Sequence, residues 1–238
     1  MTDIELSVII PAYNESASVT NSLTAVSGYL KTLGISYELM VVDDGSTDMT
    51  AQQVNAFGGI KLISYPDNRG KGFAVNQGMA AARGRFCLFM DMDLSTDLNE
   101  IAAFLNIMKA GNVDVLVGNR QDLPLLKQNR PLLRALFGRC FAGLSVLVLN
   151  CPFHDFTCGF KMFTQEAAMR IFPRQHIFGW AFDSELMLIA RRQRLRVIEQ
   201  SVKWHHCTGS AVNVSRAVFT SLTELIKIRF YDAKGYYR

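Results

Sequence analysis

Cys87-Leu-Phe-Met-Asp-Met-Asp-Leu-Ser95 carries an apolar segment straight into two carboxylates with one residue between them. If extended chain persists through this point, Asp91 and Asp93 leave on one face while Met92 turns to the other. Two carboxylates held close repel each other unless a cation lies between or beside them. Hard divalent ions such as Mg2+ or Mn2+ take oxygen ligands and complete their shells with substrate phosphates. The pair therefore points to a metal that grips a diphosphate, although the bare spacing also occurs in capped loops.

Other groupings have chemistry of their own. Arg120, Lys127, Arg130, Arg134 and Arg139 face a single acid, Asp122, between positions 120 and 139. Arg130 and Arg134 are four apart, hence on one helical face, and paired guanidinium groups suit a phosphate. The apolar run Cys140 to Leu149 follows, about half of the roughly 20 residues a membrane-spanning helix needs. Cations beside such a run fit anionic lipid headgroups, and a solvated helix face accounts for the same charges. Asp183 and Glu185 follow Trp180 and are candidates for a base that deprotonates a hydroxyl acceptor. Trp204-His-His-Cys207 with Cys151 and Cys158 has the residue types of a zinc site but no standard ligand spacing. Phe153, Phe156, Phe160 and Phe163 recur at helical spacing and are read as packing.

The elements that must position these groups alternate. Leu6–Ile10, Tyr37–Val42, Ile60–Ser64 and Arg85–Met90 read as strands, with helices over 17–33, 47–57 and 72–82 between them. Strands spaced by helices of this length predict right-handed crossovers, a mostly parallel sheet and helices on both faces. Ligands of such sheets sit at the carboxyl ends of the strands. Three of the four strands end there in polar groups: Pro11-Ala-Tyr-Asn-Glu15, Asp43-Asp-Gly-Ser-Thr-Asp48 and Asp91-Met-Asp93. No Gly-x-Gly-x-x-Gly follows the first strand and no P-loop is present, which argues against dinucleotide binding and P-loop chemistry. Asn68-Arg-Gly-Lys-Gly72 is glycine-rich and basic, suited to passing near a phosphate.

The 238 residues, 49% hydrophobic and 19% charged, predict one globular domain without a linker. The net charge of +4 is too mild to call for nucleic acid. Five cysteines without a Cys-x-x-Cys pair fit a reducing cytosol, and the N-terminus lacks signal-peptide character. At the C-terminal end, Val214, Val218, Leu222, Leu225 and Ile226 share one helical face opposite Arg216, Ser221 and Glu224. That helix either covers the sheet or, continued by Ile228 to Tyr231, rests on a membrane.

Taken together, Ser7–Glu15, Val41–Asp48, Asn68–Gly72 and Met90–Leu94 resemble family 2 glycosyltransferases with the α/β GT-A nucleotide-sugar fold. Asp155–Phe163 and Gly179–Glu185 are similar to the dolichyl-phosphate β-glucosyltransferase branch. The resemblance covers about 5 to 212 and implies a nucleotide-sugar half over about 5–120 and an acceptor half over about 120–212, followed by the amphipathic C-terminal helices over about 213–238. It implies donor contacts from Pro11, Ala12, Tyr13, Glu15, Asp43, Asp44, Lys71 and Met92, with Asp44 on the base and Lys71 at the diphosphate. Asp91 and Asp93 would hold Mg2+ or Mn2+, Arg120, Arg130 and Arg134 would collect the acceptor phosphate, and Asp155, Trp180, Asp183 and Glu185 would shape the sugar pocket.

The activity so implied is inverting, metal-dependent transfer of a hexose, glucose from UDP-glucose, to a polyprenyl or dolichyl phosphate at the cytoplasmic face of a membrane. A phosphate acceptor is already ionised and needs no base; with a saccharide or other hydroxyl acceptor, Asp183 becomes the candidate base. A nucleotide-sugar-binding module without catalysis is a further alternative, motivated by two departures. Ser95 stands where many polyprenyl-phosphate mannosyltransferases have Gln, which disfavours mannose from GDP. Ala211 stands where relatives often have Lys, so Lys203 or His206 would have to reach the donor diphosphate instead.

Overall fold

A computed structural model of the protein describes residues 3–120, 143, 149, 153, 155–205 and 214–238, with side chains of the last segment from Thr220 onward. Arg130, Arg134 and most of the apolar run after them lie outside the described residues, as do Cys151, His206, Cys207 and Ala211.

Among the described residues, seven strands form one sheet: β1 (Leu6–Ala12), β2 (Tyr37–Asp43), β3 (Lys61–Ser64), β4 (Phe86–Met90), β5 (Val115–Asn119), β6 (Phe160–Thr164) and β7 (Val197–Ser201). Their order is β3-β2-β1-β4-β6-β5-β7. β1 pairs in parallel with β2 and β4, β2 with β3, and β5 with β7, whereas β6 runs antiparallel between β4 and β5. The connecting helices are α1 (Val19–Thr32), α2 (Thr50–Phe57), α3 (Lys71–Ala81), α4 (Asn99–Lys109), α5 (Gln165–Ile171), α6 (Phe182–Arg192) and α7 (Val214–Ala233).

Alternate residues of the inner strands split between two cores. Leu6, Val8 and Ile10 of β1 pack with α1 and α4, while Ile9 joins α3, α5, α6 and α7 on the other face. Strands covered on both faces read as continuous apolar runs, which is why β1, β2 and β4 stand out in the sequence. Because β1, β2, β4 and β5 all point the same way, their carboxyl ends and the start of β6 share one edge.

Two expectations are corrected. β4 ends at Met90, and Asp91 to Asp93 lie in a turn closed by Leu94 at φ 52°, a left-handed conformation that costs a non-glycine residue on the order of 1 kcal/mol. The alternation survives without the strand: Met92 is buried, and the two aspartates are not. On α7, Ser221 and Glu224 do not face solvent. Ser221 is buried, Glu224 reaches inward to Ala181, and Ile226 is instead exposed, because the inner face of α7 meets backbone donors as well as apolar core. Among the described residues, no helix is long and apolar enough to cross a membrane.

Candidate active site

The loops after β1 and β2 are laced into one shelf. Asn14 N–H donates to Ser46 Oγ (2.9 Å), Thr47 N–H to Asn14 Oδ1 (2.8 Å), Glu15 N–H to Thr50 Oγ1 (2.8 Å) and Ser16 N–H to Asp48 Oδ2 (3.1 Å). Burial works against the Asp48 charge, but donors from Thr50 and Ser16 outweigh it and hold its carboxyl down at about 2. On this shelf Ala12 is buried, Pro11 half-buried, and the Tyr13 ring stands 46% exposed at the rim.

Asp43 ends β2, Asp44 follows it, and both are buried. Asp43 accepts from Ser46 N–H and Ser64 hydroxyl, at 3.2 and 2.9 Å. Asp44 accepts from Tyr65 hydroxyl (2.7 Å) and from the N–H groups of Arg69 and Gly70 (both 2.9 Å). Three donors leave at most one of roughly four carboxylate lone pairs for the base it was expected to meet. What Asp44 does do is pin the loop that starts α3. Gly45 makes that loop's close approach possible: its φ is +71°, and a Cβ there would lie 2.6 Å from the Asp67 backbone.

Lys71, the first residue of α3, forms an ion pair with Asp91. Burial would lower the Lys71 pKa, but Asp91, Asp183 and Asp93 together raise it. Asp91 lies so close over Gly159 that a Cβ at that position would collide with its carboxylate. Asp93 accepts from Ser95 N–H at 3.0 Å. The segment after β7 runs alongside: His205 N–H donates to Ser95 C=O at 2.7 Å, and Asp97 N–H to Lys203 C=O at 3.0 Å. Met92 is packed into the core, so only its backbone is available to a ligand.

Among the described residues, no group of three or more His, Cys, Asp or Glu side chains is poised to hold a metal. Asp91 and Asp93 nevertheless offer a half-exposed and an exposed carboxylate, hard oxygen donors that fit Mg2+ or Mn2+ when phosphates and water complete the shell. A thiolate site is a poor fit: Cys158 is buried, and burial pushes its thiol up to about 11.

Arg120 follows β5 and holds Asp155 in a fork, Nε to Oδ2 and Nη2 to Oδ1 at 2.7 Å each, with Nη2 also donating to Thr157 Oγ1 at 2.8 Å. Its guanidinium stands 5.7 Å from the Trp204 ring centroid. Burial opposes the charges of this pair, but mutual hydrogen bonding and attraction raise the Arg120 pKa and lower that of Asp155.

Asp183 is buried and forms an ion pair with Lys161, a residue of 0% exposure whose ammonium also donates to Phe156 C=O (2.9 Å) and Cys158 C=O (2.6 Å). Burial pushes the Asp183 carboxyl up, against the pull of Lys161 and Lys71. Lys161, Asp183, Lys71 and Asp91 thus form a row of alternating charge reaching from the sheet interior to the ligand edge. Trp180 is half exposed in the turn before α6, where Ala181 N–H donates to Glu224 at 2.9 Å. Glu185 is not brought to the site. Two residues along a helix point to opposite sides, and its carboxylate closes on His176 N–H, Ile177 N–H and Tyr237 hydroxyl.

Lys161 and Glu224 are the site-bordering residues that sequence reasoning missed. Lys161 sits in Cys158-Gly-Phe-Lys-Met-Phe163, and only the burial of β6 between two neighbours reveals an internal charge.

Residues 7–172 match the family described as Glycosyl transferase family 2. The chain is 32% identical to the dolichyl-phosphate β-glucosyltransferase of Dictyostelium discoideum over 99% of this chain and 77% of that protein. It is 31% identical to the enzyme of that name from Saccharomyces cerevisiae, again over 99% and 77%. Among solved structures, glucosyl-3-phosphoglycerate synthase from Mycobacterium tuberculosis in complex with UDP is similar at a TM-score of 0.71 and 21% identity, over 95% of this chain and 80% of that one. A structure of that synthase holding Mn2+, UDP-glucose and phosphoglyceric acid is similar at a TM-score of 0.70 and 20% identity, with the same coverage.

Proposed function

The chain belongs to glycosyl transferase family 2, in the dolichyl-phosphate β-glucosyltransferase branch, and on that premise we propose that it transfers glucose from UDP-glucose to a polyprenyl phosphate such as dolichyl phosphate. The reaction inverts the anomeric carbon, gives a β-linked glycosyl-phosphoprenol, and takes place peripherally at the cytoplasmic face of a membrane. The observation that carries the reading is the convergence of Asp91, Asp93, Lys71 and the Arg120–Asp155 fork on one sheet edge.

The nucleoside rests on the shelf of Pro11, Ala12, Tyr13 and Glu15. Lys71 sits at the diphosphate, and the alternating row behind it keeps its ammonium charged and in place. Asp91 and Asp93 would hold a divalent cation, Mg2+ or Mn2+, which when bound neutralises charge growing on the departing nucleoside diphosphate. Arg120, whose Nε and Nη2 are tied to Asp155, turns its Nη1 to the acceptor phosphate, and Arg130 with Arg134 adds positive charge from the following segment. The ionised phosphate oxygen attacks the anomeric carbon directly, so no side chain need remove a proton. Asp183, fixed by Lys161, accepts a hydrogen bond from a glucose hydroxyl beside Trp180.

A second reading keeps the donor site and substitutes a hydroxyl acceptor, with Asp183 as base; the burial that raises its pKa favours it. Purified protein offered UDP-glucose and other nucleotide sugars, with dolichyl phosphate and with saccharide acceptors, separates them. The proposal expects a β-glucosyl phosphoprenol identified by mass and anomeric coupling, with Asp183→Asn acting mainly through KM. Product only on hydroxyl acceptors, with kcat lost in Asp183→Asn, would establish the second reading, and nucleotide-sugar binding without any product would mark a non-catalytic module.

A further inference from the structure

The outward face of α7 contradicts the usual rule for a surface helix. On its inner face Leu225 and Ile228 are in the core, joined by Tyr237 from beyond the helix, and buried Asp232 accepts from Arg192 (2.6 Å) and Arg229 (2.8 Å). Yet Leu222, Ile226 and Phe230, each four residues apart and offset by roughly 40° per step, form a second apolar stripe pointing away from the core. Ile226 is 69% and Phe230 54% exposed, and Leu222 is half-buried. Lys227 and Lys234, both exposed, border the stripe on one side, and the Lys234 ammonium lies 4.3 Å from the Phe230 ring centroid; on the other side Arg229 is tied to Asp232. Between 222 and 238 the only acids are Glu224, which reaches inward, and Asp232, which is buried.

We propose that this face seats the protein on an anionic lipid surface. A solvated helix places charge at the centre of its outer face; here the centre is apolar and the cations stand at the rim, where their stems cover apolar surface and their heads reach phosphates. The stripe lies on the side of α7 away from Glu224, whose carboxylate holds the turn carrying Trp180. The inference rests on the lipid-phosphate reading and names the surface that delivers that acceptor.

The test is co-sedimentation of the full chain with vesicles of pure phosphatidylcholine and of equal parts phosphatidylcholine and phosphatidylglycerol, with transfer to a short-chain, water-soluble prenyl phosphate measured in parallel. Wild-type protein is expected to prefer the anionic vesicles and to release with salt. Ile226→Glu/Phe230→Glu should lower partitioning at least about tenfold, and Lys227→Glu/Lys234→Glu should remove the anionic preference. Both should keep wild-type melting temperature and short-chain turnover. Equal sedimentation of wild type and the apolar pair, no wild-type binding, or a wild-type dimer that the apolar pair dissociates without changing vesicle binding would each overturn the proposal. Absence of short-chain transfer with intact vesicle binding would instead count against the lipid-phosphate reading.

Discussion

Lys161→Met is the substitution for which the structure makes the most specific demand. The ammonium is wholly buried and donates to two backbone carbonyls as well as to Asp183. Methionine nearly matches the aliphatic stem but leaves a buried carboxylate without its counter-charge and two carbonyls without a donor. Breaking a buried ion pair on one side costs about 3–5 kcal/mol, which at about 2–4 °C per kcal/mol for a chain of this size is a melting-point loss of about 6–20 °C. The loss should depend on pH. The Asp183 pKa is already above its unfolded value, and removing Lys161 raises it further. A carboxyl with a raised folded pKa contributes stability below its unfolded pKa and loses it as pH rises through the folded one, so the deficit should shrink on acidification. Urea denaturation from pH 5 to 8 measures this, with Lys161→Met/Asp183→Asn as the control that removes the orphaned charge and should recover much of the loss. A deficit below about 1 kcal/mol, or an equal one in the double variant, would refute the reasoning.

Glu185, pushed up to about 7 by burial, should make wild-type stability fall as pH rises through about 7; Glu185→Gln, whose amide can still meet Ile177 N–H and the Tyr237 hydroxyl, should flatten that slope in denaturation curves. Gly159→Ala should displace the Asp91 carboxylate and cut kcat/KM about a hundredfold with little change in secondary structure by circular dichroism. Arg120→Lys keeps the charge but cannot reproduce the two-pronged contact with Asp155, so steady-state kinetics should show KM for the acceptor phosphate rising about tenfold or more.

How much of this was legible depends on whether a residue's role is local. β1, β2 and β4 announce themselves because parallel strands buried on both faces are continuous apolar runs, and the acids at their ends follow from the rule about strand termini. The second half hides its structure. α6 is buried from Phe182 to Ala190 all round its circumference, polar residues included, so no amphipathic period marks it, and Asp183 and Glu185 look equivalent until the helix sends them to opposite sides. Lys161 and Glu224 have roles made only by tertiary contact, with Asp183 and with Ala181, and no local pattern distinguishes them from surface charges. Which residues of α7 meet the core is hidden for a related reason: Leu225 and Ile226 share one apolar face in the sequence, and periodicity does not say that the first is buried and the second exposed.

The position of the donor diphosphate decides the mechanism. A crystal structure of the protein with UDP and Mn2+, using the anomalous signal of manganese, tests this most directly. The ion is expected within bonding distance of Asp91 or Asp93 and of a diphosphate oxygen, with the uridine on the shelf beside Tyr13. A nucleotide bound away from this edge, or an ion held by other residues, would contradict it.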